Sequence, residues 1–131
     1  MKNLFFSLCS SLFLLSGCSV QKDSTEINQK LDSKSEKEIV LVKVIEDSRC
    51  PEGVQCIWAG EVTIVVAAYE NKKKIEQVQF VINQNSMDDV NKWFTQHLPQ
   101  TNKSLKETSV LPYPKEGVQI KPEDYHILLI Y

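Results

Sequence analysis

From residue 38 onward, apolar residues come in short runs with a period of two. Residues 39–45 are apolar apart from Lys43 and mostly β-branched, the pattern of a largely buried strand. Residues 57–69 continue that character, with Val62, Ile64 and Val66 on one face and Thr63 and Val65 on the other. The polar break at residues 70–74, which includes Lys72, Lys73 and Lys74, predicts a hairpin tip. Residues 75–82 then alternate Val78, Phe80 and Ile82 against Gln77, Gln79 and Val81. The period changes over residues 86–98. There Val90, Trp93, Phe94 and His97 recur at helical spacing, and Ser86 with Asp89 resembles a capping box. Pro99 ends the predicted helix. Residues 105–111 and 124–131 predict two further strands. Five strands, one short helix and short connections predict a mainly β fold, a small antiparallel β-sandwich or open barrel. Its expected core includes Leu41, Ile64, Val66, Phe80, Ile127 and Leu129, all at alternating positions.

The N-terminus follows another logic. Lys2 precedes a run of mostly apolar residues over 4–15, the n-region and h-region of a signal peptide. The run is too short to span a bilayer, which needs about 20 apolar residues. Leu15, Ser16, Gly17 and Cys18 resemble the lipobox of bacterial lipoproteins. That resemblance implies cleavage before Cys18, diacylglycerol on its thiol, and a mature protein held to a membrane by lipid. Ser16 and Gly17 are small enough for a tight peptidase cleft. The expected organisation is a signal peptide at 1–17, a lipidated cysteine and flexible tether at 18–37, and a β domain at 38–131. The tether segment is polar and lacks aromatic residues. As a coil, residues 19–37 would reach roughly 25 Å.

The four cysteines then sort. Cys9 leaves with the signal peptide and Cys18 takes lipid. Cys50 and Cys56 remain, and a lone pair in an exported protein reads as a disulfide. The net charge of −2 is mixed in sign along the chain, which disfavours nucleic acid as a partner.

The segment around that pair carries the most specific motif. Asp47, Ser48, Arg49, Cys50, Pro51, Cys56, Trp58 and Gly60 fit the pattern D-S-R-C-P-x4-C-x-W-x-G. The pattern resembles a signature of small, uncharacterised exported bacterial proteins and lipoproteins. Pro112 and Pro114, and later Asp124, Tyr125 and Ile127, fit weaker features of the same signature, so the resemblance covers most of residues 39–131. A helix bearing Trp93 and Phe94 departs from it. The resemblance implies architecture and no activity. The ring from Cys50 to Cys56 should stabilise by about 2 kcal/mol through loop closure. Pro51 and Gly53 set its turn, Trp58 is expected to pack over the bridge, and Gly60 to admit a close backbone. The ring reads first as a stapled turn, and second as a recognition loop presenting Arg49, Glu52 and Gln55 beside Trp58. A redox role fits less well, because five residues separate the cysteines.

No zincin, nucleophile-elbow or P-loop pattern occurs. His97 reads as a helix-end or core residue, and His126 with Asp124 supplies too few ligands for a metal. No catalytic residue, metal site or cofactor is assigned, and an enzyme is not expected. The expected function is a membrane-anchored binding or interaction module with a protein partner in the cell envelope. An inhibitor of an exported hydrolase and an assembly accessory of an envelope complex are the alternatives. Ser19 after the lipidated cysteine places the protein at the outer membrane, facing the periplasm, in a Gram-negative cell. Otherwise it belongs on the outer face of the cell membrane.

Overall fold

The computed structural model describes residues 23–32 and 34–131. The expected signal peptide, Cys18 and the first part of the tether lie outside the described residues. Among the described residues, six strands and one α-helix follow in the order β1 (Ser24–Ile27), β2 (Lys37–Asp47), β3 (Val62–Glu70), β4 (Lys73–Ile82), α1 (Met87–His97), β5 (Glu107–Leu111) and β6 (His126–Ile130), with a short 3-10 turn at Pro122–Asp124 before β6. They form two antiparallel sheets of three strands, ordered β1-β6-β5 and β2-β3-β4. The fold is mainly β, as the alternating pattern predicts.

One core is shared by both sheets and the helix. Leu41, Ile64 and Val66 from one sheet meet Ile127, Leu129 and Val110 from the other, and Val90 and Phe94 of α1 complete it. Five of the six expected core residues are fully buried. Phe80 is partly buried because β4 is an edge strand, and it packs edge-on against Trp93 with ring centroids 5.5 Å apart. The two seams between the sheets close differently. On one side the Leu41 N–H donates to the Asn28 carbonyl at 3.0 Å, tying β1 to β2. On the other, α1 spans the gap between β4 and β5. Asn91 donates to the Lys106 carbonyl and accepts from Thr108, while the Trp93 indole N–H donates to Glu76 of β4 at 3.1 Å.

Three expectations need correction. The tether expected over residues 19–37 does not hold for Ser24–Ile27, which forms an edge strand that pairs antiparallel with β6. A strand at an edge needs few inward side chains: ladder hydrogen bonds hold it, and Ile27 alone is buried. Polar composition therefore hides it. The strand expected from residue 57 begins at Val62, since residues 57–61 leave the ladder to form a loop. The capping box at Ser86 does not form. Its hydroxyl instead donates to the Val81 carbonyl at 2.6 Å and accepts from the Asn83 N–H, tying the β4–α1 turn rather than the helix start. Bulges in β2 explain a smaller irregularity. Register slips around Val42 and Ile45, and both side chains turn out to solvent.

Ile27→Ala tests the role of β1. It removes the strand's one buried anchor, so unfolding in urea should show a loss of about 2 kcal/mol or more. A change within experimental error would mean that the fold does not depend on β1.

Candidate interaction loop

The loop between β2 and β3 leaves and returns along paired limbs. The Ser48 N–H donates to the Glu61 carbonyl at 2.8 Å, and the Cys50 N–H donates to the Ala59 carbonyl at 2.9 Å. Gly60 makes this closeness possible. It adopts φ +74°, and a Cβ there would lie 2.0 Å from the Ser48 carbonyl oxygen. No other residue fits that space. Cys50 and Cys56 are disulfide-bonded, with Cα atoms 5.9 Å apart. Within the ring, the Val54 N–H donates to the Pro51 carbonyl, and Gly53 takes φ +81° at the turn.

A second loop, after β5, braces the first. The Glu52 N–H donates to the Pro114 carbonyl at 2.9 Å, and Glu52 and Lys115 form a short backbone bridge. Arg49 supplies the main brace. Its guanidinium grips both oxygens of Asp47 at 2.8 and 2.6 Å and donates to the carbonyls of Val110 and Pro112. It also lies 4.8 Å over the Tyr113 ring. The Tyr125 hydroxyl donates to Asp47 at 3.1 Å. The Arg49 and Asp47 side chains are only 10% and 9% exposed.

Burial alone would raise the Asp47 carboxyl. The hydrogen bonds and positive charge of Arg49, with the Tyr125 hydroxyl, outweigh burial and hold Asp47 below the usual carboxylate value. Burial, and then the Asp47 charge, push the Tyr125 hydroxyl up, with Arg49 opposing.

These placements redistribute the expected site. Arg49 is a clamp inside the protein and not a displayed contact, because its donors are spent on Asp47 and two strand-end carbonyls. Glu52 and Gln55 are exposed on the ring as expected. Trp58, expected over the disulfide, is 63% exposed, and Ile57 beside it is fully exposed. Val54 on the same ring, and Tyr113 and Val118 on the bracing loop, are further large apolar residues in solvent. Ile57 went unremarked in the sequence because a run of β-branched residues hides where the ladder stops. Tyr113 stacks on Arg49 while keeping an exposed face.

Elsewhere, a groove of about 580 Å³ lies at the other end of the molecule, between β1 and the start of β2. Ile27, Ile39 and Leu98 line it along with Glu26, Lys30 and Asp32. His97 ends α1, stacked on Trp93 at 4.3 Å and 2.8 Å from Glu76. The His126 ring lies 3.2 Å from the backbone carbonyl of Asp124. Among the described residues, no group of three or more His, Cys, Asp or Glu is placed to hold a metal ion. Neither a family model, nor a curated protein, nor a solved structure matches this chain.

Removing one partner of a buried ion pair strands the other, so Arg49→Ala should cost about 3 kcal/mol in chemical unfolding. Asp47 adds a pH signature. Its folded pKa lies below the ordinary 3.8, so the ionised pair stabilises the fold above that pH. The contribution disappears as pH falls through the folded value, and Asp47→Asn should flatten the acid limb of a Tm-versus-pH curve. A variant whose acid limb matches the parent protein would exclude this carboxylate as the source. Replacing Cys50 and Cys56 together with Ser should lower stability by about 2 kcal/mol. Glu52→Gln with Gln55→Ala should stay within about 0.5 kcal/mol of the parent.

Proposed function

We propose that this protein is a lipid-anchored binding module of the bacterial cell envelope, non-enzymatic, which engages a protein partner through the Cys50–Cys56 loop. One observation carries the binding role. Ile57 and Trp58 stand in solvent on a loop held by a disulfide, a glycine contact and a buried ion pair. Exposed apolar clusters on a small domain mark interaction sites. Tryptophan and tyrosine are the side chains that most often dominate binding energy. A loop already rigid loses little entropy on docking. The lipobox resemblance at Cys18 supports the anchor. Among the described residues, no helix is long and apolar enough to cross a membrane. The exposure of Val54, Ile57 and Trp58 on and beside the braced ring favours one more specific version, in which the loop enters the cleft of an exported hydrolase and inhibits it.

Two substitutions separate anchor from loop. Cys18→Ser should abolish labelling by a radioactive fatty acid and remove the protein from the membrane fraction. Unchanged mass and fractionation would refute the anchor. Ile57→Ser with Trp58→Ser should leave Tm within a degree or two, since neither side chain is in the core. The same pair should abolish crosslinking to the envelope partner trapped by the parent protein. Retained crosslinking would exclude the loop as the binding surface, and inhibition assays against exported hydrolases would discriminate the cleft-entering form.

A further inference from the structure

The strand registers give the molecule two distinct poles. β6 begins at His126, opposite Leu111 and next to Tyr125, which contacts Asp47 at the base of the loop. It ends at Ile130, opposite Ser24, and the Tyr131 N–H donates to the Asp23 carbonyl. A strand of five residues carries the chain roughly 15 Å from one pole to the other. In the second sheet, Asp47 pairs with Val62 at the loop pole and Lys37 pairs with Glu70 at the far one. Thr25, Lys37 and Tyr131 line one groove, which fixes those far ends at the same pole. The chain N-terminal to Asp23 therefore joins the domain at the pole opposite Trp58.

The β3–β4 hairpin turns at this same pole. Its tip presents Lys72, Lys73 and Lys74 to solvent, and the Asn71 N–H docks on the Glu36 carbonyl at 2.8 Å. The turn is unusual. Asn71 and Lys72 take φ of 50° and 65°, as in a type I′ turn, whose second position favours glycine. Lys72 thus occupies a strained backbone conformation that a glycine would relieve, and its charge is the property a glycine lacks.

We propose that the pole bearing Lys72, Lys73 and Lys74 docks on the anionic headgroups of the membrane that holds the lipid anchor, so that the Cys50–Cys56 loop points away from that membrane. This rests on the proposed anchor at Cys18. Only the residues from Cys18 to Asp23 would separate lipid from domain, a span of at most roughly 20 Å. So short a leash keeps Asp23, and with it the pole that carries the lysine tip, close enough for the tip to reach the headgroups in one orientation of the domain. Each lysine near an anionic surface then favours the docked orientation about fivefold.

Amine labelling read by mass spectrometry tests the orientation. Protein purified from membranes is placed in vesicles of phosphatidylglycerol with phosphatidylethanolamine, or of phosphatidylcholine alone. On anionic vesicles, Lys72, Lys73 and Lys74 should label about fivefold more slowly than on neutral ones. Salt at about 0.5 M should restore their rates. Lys115 and Lys121, at the loop pole, should label equally on both. Lys72→Gly should raise Tm and weaken the protection of Lys73 and Lys74. Equal labelling of the tip on both vesicles, or selective protection of Lys115, would overturn the orientation. Vesicle flotation isolates the anchor: protein that fails to float refutes the lipid anchor and the orientation with it. Protein that floats with an unprotected tip refutes the orientation alone.

Discussion

The grip of Arg49 on Asp47 holds the loop pole together. Three of the strand ends at this pole, from two different sheets, meet at the clamp: β2 at Asp47, β5 at Leu111, and β6 starting after Tyr125. Strand ends leave backbone carbonyls without ladder partners, and burying them unpaired is costly. Arg49 satisfies the Val110 and Pro112 carbonyls while its charge is neutralised by Asp47. Tyr125 then occupies a further acceptor site on that carboxylate. The planar fork of a guanidinium makes this arrangement possible, and a lysine ammonium could not serve both carboxylate oxygens and both carbonyls in that geometry.

Once that clamp is set, the loop beyond it has little freedom. The disulfide closes its ring, Gly60 brings the returning limb onto Ser48, and Glu52 hangs on the Pro114 carbonyl. None of these contacts uses Ile57 or Trp58. Trp93 offers the contrast within the same chain. It is held by Phe80, Phe94, His97 and Glu76, and its indole N–H has a carboxylate partner. One tryptophan thus serves the packing of α1 on β4, and the other does no packing of comparable kind. A rigid loop with its largest apolar side chains in water is the arrangement that the proposed binding role requires.

Most of the architecture was legible in the period of the apolar residues. Leu41, Ile64, Val66, Ile127 and Leu129 alternate against polar neighbours, and alternation leaves one face to bury. The misreadings share a cause. β1 is held by ladder bonds to β6, which composition does not register. Ser86 chose the Val81 carbonyl over the helix N–H groups, a choice set by how β4 meets α1. Trp58 sits in a run of strand-forming residues, and the ladder stops before it because Gly60 turns the backbone. Arg49 looks like a surface charge in sequence, since its partners Val110, Pro112 and Tyr113 lie more than sixty residues away. Local propensity was readable; what depended on distant backbone groups was not.

Natural sequences agree with their folds at most levels, and departures concentrate where function overrides stability. Two such departures occur here. Ile57 and Trp58 expose apolar surface that a soluble domain would bury, and Lys72 holds a left-handed backbone that glycine would adopt freely. They lie at opposite poles of the same small body. Neither pole's departure aids the other in folding, because the core between them is complete without either. In the proposed orientation, an apolar pole and a cationic tip at opposite ends give the domain a direction between two different surroundings. With an anchor at Cys18, a tether reaching to residue 37 would let the domain tumble and erase that direction, whereas β1 takes up the slack from Ser24 to Ile27 and fixes which end would face the membrane.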